Sequence, residues 1–342
     1  MAGDCIRQIP RWGFVLSLAA TILMMAAASA PSLFYPQIAE RLGLIPVATT
    51  LVFAVYTVTL LAALLYLGPL SDHVGRRPVV AAGSLALALS VAMFWFAGSL
   101  AALLVARALQ GLAAGLLIPA LSAMMIDFES PSHRNIAALW NTIGPMIGLG
   151  AGALGAALLL DLTSEPTTAV FGSLVLAFLI VATVVWSTPE LVPKTQIRRG
   201  DLRPRFTVPP HLRRMFTVGV PVIIAGWATN GLFLALGADL VGSELGGSTH
   251  TQAGIVLFAL AISGVTASSV LQRRSARTIS LYATSALAFG TAVSIGALAL
   301  GSYPAYVASV AIVGSGFGTA FLGVLRTLMP HTASSERAAV MA

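Results

Sequence analysis

Gly68-Pro69-Leu70-Ser71-Asp72-His73-Val74-Gly75-Arg76-Arg77 separates two long apolar runs, 46–67 and 79–97, and its reading decides the fold. A small residue opens the stretch, an acid stands where a helix would end, a glycine turns the chain, and two arginines follow. A turn this short and this charged, set between runs long enough to cross a bilayer as helices, is a membrane-surface connection. The rest of the chain agrees. Of its 342 residues 57% are hydrophobic and 9% charged, with a mean hydropathy of +0.91, whereas a soluble domain carries about 25% charged residues. Lipid is therefore the expected surrounding. The sequence pI of about 10.3 does not indicate nucleic acid, because the positive charge lies in loops between apolar segments. The single Cys5 excludes an internal disulfide.

Ten apolar runs are expected to be transmembrane helices, at 13–35, 46–67, 79–97, 101–126, 136–160, 167–187, 215–238, 252–271, 279–300 and 304–329. Arg7 and Arg11 precede an apolar stretch ending Ala26-Ala27-Ala28-Ser29-Ala30, the pattern of a cleavable signal. Pro31 directly after the small residues, and a counterpart of the segment later in the chain, predict a retained first span instead. With the N-terminus inside, the segments 1–12, 68–78, 127–135, 188–214, 272–278 and 330–337 face the cytoplasm and hold 16 of the 19 Lys and Arg residues. Positive residues concentrate on the cytoplasmic side of membrane proteins, so this orientation is expected.

The chain repeats itself at an offset of 203 residues. Gly111 to Gly115 fall on Gly314 to Gly318, Leu42-Gly43 on Leu245-Gly246, Trp12 on Met215, Ser132 on Ser335 and Arg134 on Arg337. The organisation predicted is all-α and polytopic. Residues 1–187 form a bundle of six spans, the basic segment 188–214 links them at the cytoplasmic surface, and 215–342 form a second bundle of four spans and the start of a fifth. Since Ala342 falls on Leu139, the second half is expected to stop two helices short of the first.

The opening stretch resembles the loop signature of the major facilitator superfamily, G-x-L-[SA]-D-x-x-G-R-[RK], in seven of its ten positions. Two further motifs are similar to those of the same family. Arg107-Ala-Leu-Gln110-Gly111 with Gly115 resembles the fourth-helix pattern R-x-x-Q-G-x-x-x-G. Gly144-Pro145-Met146-Ile147-Gly148 resembles the fifth-helix pattern of antiporters, G-x-x-x-G-P-x-x-G-G, with Trp140 and Leu149 in place of its first and last glycines. The resemblance implies two helix bundles rocking about a site near the bilayer midplane. It further implies export of small amphipathic molecules in exchange for protons, by a monomer in the plasma (inner) membrane, with no cofactor and no metal. An uptake carrier, or a truncated membrane protein that does not transport, are the alternatives.

The resemblance also assigns roles. Asp72, Gly75, Arg76, Arg77, Asp127 and Arg134 would form a conformational latch at the inner face; ordinary surface charge at helix ends is the competing reading. The corresponding second-half loop, Gln272-Arg273-Arg274-Ser275-Ala276-Arg277, has lost the acid and the glycine. Arg107 lies inside an apolar run, where a cation is costly unless it meets water or a partner. A cavity role with Gln110 one turn away is set against snorkelling to the outer surface. Tyr56, Asn141, Trp227 and Asn230 are the other polar candidates for the substrate path, and glue between helices is their bland reading. Gly111, Gly115, Gly144, Pro145 and Gly148 would bend and pack helices. No Asp or Glu lies deep in the first six spans, and G-x-x-x-x-G-K-[ST], H-E-x-x-H, G-x-S-x-G and paired-Cys patterns are absent from the sequence. Neither ATP drive nor an intramembrane enzyme is indicated.

The orientation has a direct check. A cysteine placed at Gln196, with Cys5 replaced by serine, should stay unlabelled by an impermeant thiol reagent added to sealed cells. Labelling from outside would invert the topology.

Overall fold

A computed structural model of the chain describes residues 12–130, 136–192 and 213–328. Every regular element among them is helical: α1 (Trp12–Ser29), α2 (Tyr35–Leu42), α3 (Pro46–Leu67), α4 (Leu70–Val74), α5 (Arg76–Trp95), α6 (Leu100–Asp127), α7 (Ile136–Leu162), α8 (Ser173–Val184), α9 (Arg213–Ser243), α10 (His250–Leu271), α11 (Ala276–Ala299) and α12 (Tyr303–Leu328), with short tighter or wider turns at Ala30–Phe34, Thr168–Gly172 and Val185–Ser187. Nine segments of the described residues are long and apolar enough to cross a membrane. The tenth expected span lies within α9, whose apolar stretch Ile224–Gly237 is shorter. The first span runs on past its expected end to Leu42. Pro31 explains the irregularity there: a proline has no N–H to continue the ladder, and the chain tightens into the Ala30–Phe34 turn before α2.

Large apolar side chains such as Leu89, Phe96, Val105, Ile180, Phe289 and Ile295 point outward and are more than half exposed. A water-facing surface of this kind would be unstable; a bilayer is its natural cover. Lipid is as apolar as these side chains, so burial from water cannot hold the helices to one another. Close backbone approach does it instead. A Cβ on Gly111 would stand 2.4 Å from the Tyr56 carbonyl of α3, and one on Gly115 2.7 Å from the Leu60 carbonyl. In the second half a Cβ on Gly314 would stand 2.0 Å from the Leu260 carbonyl of α10, and one on Gly318 2.5 Å from the Gly264 carbonyl. The offset read in the sequence is thus an offset in packing. Gly43 and Gly246, its other pair, share a left-handed backbone, with φ of 61° and 64°.

On α7, Gly144, Gly148 and Gly152 face Leu18, Ile22 and Ala26 of α1. On its other side Gly150 and Ala157 meet Ala261 and Gly254 of α10. This one helix therefore packs within the first bundle and against the second. Pro145 lies inside a continuous helix.

Overpacking a tight contact costs about 1–3 kcal/mol. A Cβ at Gly148 would come within 2.4 Å of the Ile22 carbonyl, while one at Gly155 meets nothing within 4 Å. Gly148→Val should lower the unfolding temperature of the purified protein in detergent, and Gly155→Ala should leave it unchanged.

Candidate functional site

Arg107 is 1% exposed, deep in the first bundle. Snorkelling to the surface is thereby corrected: the side chain turns inward. It does not face an open cavity in this conformation either. Its Nε donates to the Tyr35 hydroxyl at 2.6 Å. One terminal nitrogen donates to Gln110 Oε1 and to the Ala28 carbonyl at 3.4 Å. Gln110 Nε2 in turn donates to the Ala27 carbonyl at 2.9 Å. That carbonyl is available for a reason visible in the sequence: its helical partner four residues on is Pro31, which has no N–H. The proline that tightens the first span thus frees an acceptor for the polar pair on α6.

Among the described residues no carboxylate is a hydrogen-bond partner of Arg107. Four aromatic rings surround it instead, with centroids 5.4 Å (Tyr35), 5.1 Å (Phe53), 5.5 Å (Tyr56) and 5.1 Å (Phe94) from Cζ. Ring faces attract a cation, more strongly when it is desolvated. They offset part of the burial cost and leave the charge uncompensated. The second terminal nitrogen, Nη2, is buried without a partner. Such a group stores the cost of an unmade hydrogen bond, about 1–3 kcal/mol or more for a charge.

Of the proposed path residues, Gln110 and Tyr56 join Arg107, and three do not. Asn141 Nδ2 donates to the Ser122 carbonyl of α6 at 3.4 Å, a bond between helices. Trp227, on α9, is half exposed and sits edge-on to Phe317. Asn230 is buried in the second bundle. The cage residues Tyr35, Phe53 and Phe94 escaped sequence reading, since each is an ordinary apolar position in its own span.

The charged cluster forms at the opposite end of α6. Arg76 Nε donates to Asp127 Oδ2 at 3.1 Å, and its terminal nitrogen bonds Asp72 Oδ1 and Ser71 Oγ at 2.7 Å. Gly75 makes the turn with φ of 105°, a conformation that favours glycine. A Cβ there would also stand 2.7 Å from Glu190 Oε2. Glu190 is the member that sequence reading missed. Its carboxylate accepts from the backbone N–H of Arg76 at 3.0 Å and of Arg77 at 3.1 Å. It caps α5 where Gly75 has no side chain to do so, and it draws the first residues of the linker onto the bundle. The Arg77 side chain takes no part, and its Nε is buried without a partner. Arg134 lies outside the described residues. All the described members of the cluster belong to the first bundle or to the start of the linker.

At the other end of the bundles, Asp161 near the end of α7 meets His250 and Thr251 at the start of α10. No group of three or more His, Cys, Asp or Glu side chains among the described residues could hold a metal.

Known proteins resemble this chain in fold or in part of its sequence. A bacterial homolog of the human lysosomal transporter Spinster, solved in an inward-facing and occupied conformation, superposes with a TM-score of 0.71 over 96% of this chain and 76% of that one, at 14% identity. The puromycin resistance protein pur8 of Streptomyces alboniger is 32% identical over 148 residues, 42% of this chain and 29% of that protein. The multidrug efflux pump LfrA of Mycolicibacterium smegmatis is 31% identical over 229 residues, 64% of this chain and 41% of that protein. The chain thus spans less than half of the length of these curated relatives. The Major Facilitator Superfamily profile matches residues 16–342. With the glycine-paired helix packing repeated in both halves and the loop cluster formed around Arg76, the chain belongs to the major facilitator superfamily.

Proposed function

We propose that the chain is a secondary active carrier that exports small amphipathic molecules in exchange for protons, by alternating access, as a monomer in the inner membrane with its N-terminus in the cytoplasm. Family membership supports transport, and the relatives named above, a puromycin resistance protein and a multidrug efflux pump, favour export over uptake. The observation that carries the mechanism is Arg107. It is a cation buried without an anion, with a free N–H, in a bundle whose spans hold no deep carboxylate. A permanent charge in that position repels a second cation and attracts any acceptor that reaches it. Occupancy of the site by a hydrogen-bond acceptor of the substrate is thereby coupled to how the four rings sit around it. Tyr56 and Gln110 act with Arg107 in this reading. The Arg76–Asp72–Asp127 cluster is the inner-face latch, held on α5 by Glu190.

Cells expressing the chain should accumulate less puromycin or amphipathic dye than control cells, and dissipating the proton gradient should erase the difference. Equal accumulation in both would overturn the export reading.

Arg107 separates structural from functional roles. Arg107→Ala leaves a cavity and three unpaired acceptors, and should cost about 2–4 kcal/mol of stability. Arg107→Met fills the cavity without a charge, and removing a buried charge together with its need for partners is often neutral or stabilising. The Arg107→Met, Tyr35→Phe double variant should therefore unfold near the wild-type temperature while losing export. Normal export in that variant would remove Arg107 from the mechanism.

A further inference from the structure

The start of α10 lacks a cap of its own. Thr249 is its N-cap residue, and its side chain makes no capping bond. The first N–H groups of a helix have no intrahelical partner and need an acceptor. Here the acceptor comes from the opposite bundle. Asp161 Oδ1 accepts the His250 backbone N–H at 3.1 Å and the ring Nδ1–H at 2.8 Å. Asp161 Oδ2 accepts the Thr251 backbone N–H at 2.7 Å and the Thr251 hydroxyl at 2.5 Å. One carboxylate thus takes four bonds from two consecutive residues of the other half. Because Asp161 fixes Nδ1 as the donor, Nε2 of the neutral ring is an acceptor. It lies 3.1 Å from Gln37 Nε2 on α2, a second tie to the first bundle. Below the cap, Gly254 lies against Ala157, and a Cβ on it would stand 2.5 Å from the Ala157 Cβ. The two helices touch directly at this end.

We propose that Asp161 is the outer lock of the carrier: a positioning residue that caps α10 from the first bundle and must release it each time the outer face opens. The proposal rests on the alternating-access reading above. The geometry is suited to a lock that opens. The side chain of Asp161 is 21% exposed and that of His250 42%, so water can take over their bonds as the bundles part. A fully buried pair would leave stranded charges on opening and hold the carrier shut. The helix dipole adds attraction for the carboxylate over the first turn of α10 and fades once that turn moves away, which makes the closed state short-ranged and distinct. Gln37 and His250 guide the docking, while the backbone bonds from His250 and Thr251 hold it.

The test needs no substrate. Spin labels at Leu162 and Ser248, on a Cys5→Ser chain reconstituted in vesicles, report the separation of the bundles across the seam. The wild type should give a dominant short distance. Asp161→Ala removes all four bonds, and losing a cap of this kind should raise the ratio of open to closed about fivefold. Asp161→Asn keeps the shape and half the acceptor capacity, so it should give an intermediate shift and covers the case in which alanine fails to fold. His250→Ala keeps both backbone bonds and should shift the ratio least. A distance distribution unchanged in Asp161→Asn and in His250→Ala would overturn the lock. Drug accumulation is measured on the same variants. A chain that exports nothing yet shows the graded opening refutes the export reading and keeps the lock, whereas export with invariant distances refutes the lock alone.

Discussion

Helices in lipid gain little by touching one another, because the solvent they leave is as apolar as the neighbour they meet. Close backbone approach at glycine is the constraint on which the rest of this structure depends. Gly111 and Gly115 set α6 against α3, Gly148 and Gly152 set α7 against α1, and Gly314 and Gly318 set α12 against α10. The polar features follow from that placement. Arg107 can reach Tyr35 and the Ala28 carbonyl only because α6 is held deep in the bundle. Ser90 Oγ donates to the Ala106 carbonyl at 2.8 Å, one residue from Arg107, and closes the same wall from α5.

The two halves share this packing and differ in their chemistry. At the offset of 203 residues, Arg107 corresponds to Val310 and Gln110 to Val313, and both valines are fully buried or nearly so. The second bundle therefore keeps the glycine contact of the fourth span and replaces the guanidinium and amide above it with methyl groups. Its loop has likewise lost the acid and the glycine around which Arg76 is organised in the first half. At these paired positions the guanidinium and amide belong to one half alone, while the second half buries polar groups of its own, Asn230, Ser315 and Thr319 among them.

Much of this was legible in the sequence because the signals are local. The third helix begins and ends where its apolar run does, at 46–67, and α6 differs from its expected 101–126 by a single residue at each end. Asp72 and Arg76 lie one helical turn apart in the loop motif, whereas Asp127, 51 residues further on, was named only through the family resemblance. What the sequence hid is which element faces which. Glu190 acts 114 residues away from Arg76, and Asp161 acts 89 residues away from His250; periodicity within a helix gives a face and names no partner for it. The rings around Arg107 were hidden for a related reason. Tyr35, Phe53 and Phe94 look like ordinary bilayer residues until three spans converge. Asn141 shows the converse: a polar residue in a span need not join the polar site, since bonding to a neighbouring helix satisfies it equally well.

The way each helix start is satisfied bears on which parts move together. Ser99 caps α6 from its own chain by accepting the Ala102 N–H, and Ser275 does the same for α11 with Thr278. A helix capped in this way carries its acceptor with it and can shift without exposing its first turn. Among the described residues three starts are satisfied by carboxylates from outside the helix: α5 by Glu190, α7 by Glu129 and α10 by Asp161. Such a helix can leave its partner only by giving its N–H groups to water, so the contact is either made or lost, with little between. Glu190 joins α5 to the linker within one bundle, where no large motion is required, and there the cap fixes the loop that carries Arg76. Asp161 joins α7 to α10, which also meet through Gly150 and Gly254, and there the same chemistry would give the proposed lock its two states. Where an acceptor comes from a distant segment, the capping bond sets the relation between bodies as well as the end of a helix.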